Sequence, residues 1–136
     1  MMKIFFASLL LMLGVANCSA QDEKPLEESP DGAKSLGYST VSEALASLKT
    51  KPGTIFTTTE PDGWIIVNEI SPEFVVWSFT PQGHYAYPAV VRRTIKKTNG
   101  QVHVVTAALC QADKLSCDNL IREFQQLSEK MKSQHQ

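Results

Sequence analysis

The sequence predicts an α+β domain, a five-stranded antiparallel meander sheet with one helix before it and one after it, both packed on one sheet face and stapled by one disulfide. Five short β-branched and aromatic runs between residues 54 and 109 are separated only by turn signals, and helical stripes flank them on both sides. Two cysteines, Cys110 and Cys117, stand where the last run meets the second helix. Short connections favour neighbouring strands over βαβ crossovers, and two helices at the ends of a meander can share one face as a two-layer sandwich.

The domain is expected over residues 38–136. Thr40 followed by Glu43 is a capping box, and Val41, Ala44, Leu45 and Leu48 share one helical face. Lys49, Lys51 and Pro52-Gly53 end that helix with basic residues and a breaker. Thr54 to Thr59 reads as the first strand, Glu60-Pro61-Asp62-Gly63 as a turn, and Trp64 to Ile70 as the second strand. Ser71-Pro72 breaks the run, and Glu73 to Thr80 is the third strand. Its Val75, Trp77 and Phe79 alternate with Phe74 and Val76, so both faces are apolar and the strand is central.

A fourth strand runs from about Pro88 to Lys97, and Asn99-Gly100 turns it into a fifth, Gln101 to Leu109. The last helix carries a stripe of Cys117, Leu120, Ile121, Phe124, Leu127 and Met131. In an oxidising compartment Cys110 and Cys117 pair, because Cys18 is either cut off or acylated and they are then the only thiols. They lack the Cys-x-x-Cys spacing of a redox pair.

The leader sets that compartment. Met1-Met2-Lys3, the apolar run Ile4 to Ala16 and the small-residue stretch to Ala20 form a secretory signal peptide, residues 1–20. The run is shorter than the roughly 20 residues that span a bilayer. Cleavage after Ala20 releases the chain to the periplasm or beyond. The rival reading takes Val15-Ala16-Asn17-Cys18 as a lipobox with Cys18 lipidated, giving an outer-membrane lipoprotein, although Asn17 departs from that pattern. Residues 21–37, with Asp22, Glu23, Glu27, Glu28, Asp31, Pro25 and Pro30, cannot bury enough apolar surface to offset ordering and read as a flexible acidic linker.

Without Lys3 of the leader, twelve basic side chains face fourteen acidic ones, so no nucleic-acid partner is implied. No histidine stands at ligand spacing from a cysteine, so no metal and no cofactor is expected.

The candidate binding surface is the stretch 80–93. Pro81-Gln82-Gly83 makes a turn, after which His84, Tyr85 and Tyr87 present polar-tipped rings that offer contact area at low entropy cost. Arg92 and Arg93 follow on opposite strand faces, and an arginine fork suits a carboxylate or phosphate. Trp77 and Phe79 read as core. The segments Trp77-Ser-Phe-Thr-Pro81, Gly83-His84 and Tyr87-Pro-Ala-Val-Val-Arg-Arg93, with Leu109-Cys110 and Cys117-Asp118, resemble small exported proteins of Gram-negative bacteria over about residues 38 to 131. The resemblance implies export and attaches no activity.

The functional expectation is therefore an exported envelope binding or interaction protein of inhibitor, immunity or assembly-factor type. Its 80–93 surface would meet a protein or a small anionic ligand. A lipid-anchored envelope-surface protein is the alternative, with membrane contact only through an acylated Cys18. A small hydrolase using His84 with Glu69 or Glu73 is the third reading. It lacks a Gly-x-Ser-x-Gly elbow, a His-Glu-x-x-His pair, a phosphate loop and a free cysteine, so no enzyme is expected.

Overall fold

The computed structural model describes residues 36–134. The expected leader, Cys18 and residues 21–35 of the acidic linker lie outside them. The chain forms α1 (Val41–Thr50), β1 (Thr54–Thr58), β2 (Ile65–Glu69), β3 (Phe74–Phe79), β4 (Ala89–Thr98), β5 (Gln101–Cys110) and α2 (Lys114–Gln134). The sheet is an antiparallel meander in the order β1-β2-β3-β4-β5.

The cap of α1 is a variant of the expected box. Thr40 Oγ1 accepts from the Glu43 N–H at 3.1 Å, while Glu43 Oε2 accepts from the N–H of Ser39, one residue outside the cap. Gln111 Oε1 accepts from the Val41 N–H at 2.8 Å and holds the same terminus against the end of β5. In α2, Asp113 takes the capping role, accepting from the backbone N–H and hydroxyl of Ser116. Those bonds hold its carboxyl below the ordinary carboxylate value.

Register decides what each helix covers. Val67, Trp77, Arg92 and Ala107 are successive partners and share one face, together with Ile65, Phe79, Val90 and Leu109. Val41, Ala44 and Leu48 of α1 pack into this set. One residue along, Ala89, Val91, Ala108 and Cys110 point to the other face and meet Leu120 and Phe124 of α2.

The class, the meander, the two helices and the Cys110–Cys117 disulfide are as the sequence predicts; the placement of both helices on one face is not. The helices cover opposite faces, giving three layers with the sheet in the middle. The reason is parity. Cys110 is an even-numbered residue of β5, on the face opposite Leu109, and its bond to Cys117 (Cα to Cα 5.7 Å) pulls the first turn of α2 to that side. The Val90-Val91 pair, buried on both faces, is the sequence signature of a sheet covered twice.

Two smaller differences concern the edges of the core. Leu36, read as linker, is only 7% exposed and joins the α1 cluster. Leu127, read as part of the buried stripe of α2, is 47% exposed, and Ser128 is buried instead. The Ser128 hydroxyl donates to the Phe124 carbonyl at 3.0 Å, which satisfies it without a partner from the sheet.

The β4–β5 hairpin is longer than its neighbours. Its turn places Asn99 at φ +51° and Gly100 at φ +78°, the geometry of a type I′ turn. β3 pairs with β4 only as far as Ile95, so Lys96, Lys97 and Thr98 pair with β5 alone and the tip overhangs the sheet.

Candidate binding surface

Residues 80–88 form a loop closed by its own first residue. The Thr80 N–H donates to the Ala89 carbonyl at 3.0 Å, and the Ala89 N–H donates to Thr80 Oγ1 at 2.9 Å. A turn over Pro81 to His84 follows, with Gly83 at φ +86° and the His84 N–H on the Pro81 carbonyl. A second turn joins the Tyr87 N–H to the His84 carbonyl at 3.0 Å. The His84 ring completes it, because its Nδ1 accepts from the Ala86 N–H at 3.1 Å. That bond makes the neutral ring an Nε2–H tautomer. Ala86 is fully buried, so the loop is pinned at its centre.

The loop divides the predicted residues between the two faces. On the α2 side the His84 ring lies 4.4 Å from Tyr85 and 5.0 Å from Trp64, and Trp64 lies 5.9 Å from Phe124. The Arg93 guanidinium stands over Phe124 at 5.2 Å. Tyr85, His84, Trp64, Phe124 and Arg93 thus form one continuous ladder of rings ending in a cation. Half-exposed Tyr85 also donates its hydroxyl to Glu123 of α2. Desolvation first, then that bond and the carboxylate's charge, push its pKa up from 10.0 to about 12.

On the α1 side lie Tyr87 and Arg92. Tyr87 lines a cavity of about 290 Å³ with Val41, Leu45, Ile65, Phe79 and Pro88. Arg92 stacks over the Trp77 ring at 5.5 Å. Trp77 itself is core: its Nε1–H donates to Glu69 Oε1 at 2.6 Å, and Glu69 Oε2 accepts from Lys51 Nζ at 2.5 Å. Of the five predicted residues, His84 and Tyr85 are in contact and share the α2 side with Arg93, which stands at the other end of the ladder, while Tyr87 and Arg92 belong to the opposite surface.

Arg93 is electrostatically unusual. The ion pairs among the described residues are Lys51–Glu69, Lys96–Glu73, Lys114–Asp118 and Lys132–Glu129, and neither Arg92 nor Arg93 takes part. Its Nη1 contacts only the weak acceptor Met131 Sδ at 3.6 Å, and its buried Nε has no hydrogen-bond partner. Burial lowers its pKa from the ordinary arginine value. A guanidinium remains charged in spite of this, so the site holds a partly desolvated cation without a counter-ion.

The pairing of His84 with Glu69 or Glu73 is not formed. Glu69 lies on the α1 face bonded to Trp77 and Lys51, and Glu73 lies at the far end of β3 against Lys96. Sequence reasoning missed Trp64, Phe124 and Glu123, which join the ladder from the residue before β2 and from α2. The signal for Trp64 was an indole placed directly after the Gly63 turn; nothing local marked the other two. Among the described residues, no group of three or more His, Cys, Asp or Glu side chains could hold a metal, and no helix is long and apolar enough to cross a membrane. Comparison with protein families, with curated proteins and with solved structures finds no match for this chain.

Proposed function

We propose that this is an exported, non-enzymatic binding protein of the cell envelope. It recognises a partner bearing a carboxylate or phosphate group through the α2-side ladder of Tyr85, His84, Trp64 and Arg93. The observation that carries the reading is the half-buried Arg93 guanidinium with no anion to balance it. Leaving a desolvated charge unpaired costs free energy, and an incoming acidic group would recover it as a bidentate, charge-assisted bond. The neighbouring rings are positioned by two turns and by aromatic contacts, so they offer area at small ordering cost.

The test exploits the division between faces. Tyr85→Ala and Arg93→Gln should weaken capture of the partner from envelope extract, whereas Tyr87→Ala and Arg92→Gln, on the opposite surface, should not. Melting temperatures of the four variants provide the folding control. Capture that is indifferent to both α2-side variants overturns the proposal. An intact mass of the exported protein separates a chain cleaved after Ala20 from one acylated at Cys18, the lipid-anchored alternative.

A further inference from the structure

We infer that β5 is a self-pairing edge, through which two copies of this chain join their sheets antiparallel about Val105. This does not rest on the binding reading above. β5 terminates the sheet, so one side of its backbone has no neighbouring strand. The hairpin geometry says which groups are free. A two-residue turn closed by the Thr98–Gln101 pair makes that pair hydrogen-bonded. Alternation then leaves Val102, Val104, Thr106 and Ala108 with their N–H and C=O groups facing outward.

Natural edge strands are commonly blunted by shortness, charge or proline. β1, the other edge, has only five residues. β5 has ten, and Gln101–Cys110 contains no Lys, Arg, Asp, Glu or Pro. Its side chains at the middle are Val104, Val105 and Thr106, all favourable in strands, and Val105 is 49% exposed. These same three residues form one wall of a groove of about 250 Å³ whose other wall is Gln125, Ser128, Glu129 and Lys132 of α2. An added strand would therefore lie along the edge and beneath the flank of the helix.

The occupant that fits is a second copy. With a two-fold axis at Val105, Val104 pairs with Thr106 of the other copy and the two Val105 side chains meet on the α1 face, where each is now half-exposed. No charged side chain of β5 meets its like across the axis. The flanking helices bring Glu129 and Lys132, opposite in sign, to the junction from both sides. The chain's own residues 21–35 are the wrong composition for the place, since they include Pro25 and Pro30 and no Val, Ile or Thr.

Sedimentation equilibrium of the exported, disulfide-bonded protein tests this. The expected result is a mass of two chains for the unaltered protein and of one chain for Val105→Lys and for Val105→Asp. An equimolar mixture of those two variants should regain the paired mass, because only a symmetric contact centred on residue 105 brings the introduced charges together. Circular dichroism of each variant checks that the sheet is intact. A monomeric unaltered protein overturns the inference, as does a dimer indifferent to both substitutions. A monomer whose edge instead takes up an extended peptide of another protein, lost in Val105→Lys, overturns it in favour of that occupant.

Discussion

Replacing Trp77 by Phe while replacing Glu69 by Met should show that these two residues form one interacting unit in the α1-side core. The indole N–H donates to the Glu69 carboxylate at 2.6 Å, and both residues are buried. A hydrogen bond to a charged group contributes about 1.5–3 kcal/mol, and a buried donor left unpaired costs about 1–3 kcal/mol. Glu69→Met strands the indole N–H, and Trp77→Phe removes one of the two bonds that hold the carboxylate. Each single variant should therefore lose about 2 kcal/mol. The double variant leaves neither group stranded, since Lys51 is half-exposed and can turn to water. It should cost little more than one single change, a coupling of about 1.5 kcal/mol. Urea unfolding of the four proteins measures this, and in a domain of this size each kcal/mol moves the melting temperature by roughly 4–8 °C. Costs that add to within about 0.5 kcal/mol would refute the reasoning, because independent sites behave that way.

Removing the Cys110–Cys117 bond with a double Ser substitution should cost about 2–3 kcal/mol on the chain-entropy scale for so short a loop. The unaltered protein, denatured without reductant, should titrate no thiol from this pair. Absorbance titration should find Tyr85 ionising near 12, and Glu123→Gln should bring it back toward 10.0. The sign follows from the protonated phenol being favoured in the folded chain: this contribution is complete below the ordinary tyrosine pKa and is lost as pH rises through the folded value. Leu120→Ala should destabilise by about 2–5 kcal/mol, whereas Leu127→Ala, half-exposed, should cost well under half as much. Equal costs would place the stripe of α2 where its sequence periodicity alone puts it.

Much of this architecture is legible locally. Asn99-Gly100 specifies the hairpin turn, Thr40 and Glu43 the start of α1, and the alternation of Phe74 to Phe79 the central strand, because each is decided by a few adjacent residues. The sidedness of the helices is different in kind. Its sequence marks are the Val90-Val91 pair, which needs cover on both faces, and the position of Cys110 opposite Leu109, and the second can be read only once the register of β4 on β5 is known. The rotation of α2 hides for a related reason: a serine that bonds its own helix is as buryable as a leucine, and periodicity favours the leucine. For the candidate surface, the loop residues are legible as a cluster of rings after a turn. That His84 and Tyr85 side with Arg93, while Tyr87 sides with Arg92, follows from two consecutive turns whose hydrogen bonds reach from Pro81 to Tyr87.

The bond from the Val41 N–H to Gln111 has a practical corollary for orientation. Gln111 also donates its N–H to the Pro88 carbonyl at 2.9 Å, so the start of α1, the end of β5 and the 80–88 loop all meet at one pole of the molecule. The hairpin tip at Asn99 lies at the opposite pole, about 30 Å away along the ten residues of β5. The start of α1 therefore sits at the pole that carries the loop. A bait fixed to a support at the start of α1 would crowd the proposed recognition surface. α2 starts at the loop pole and leads away from it, so a handle placed after Gln134, or in the Asn99 turn, presents the loop outward.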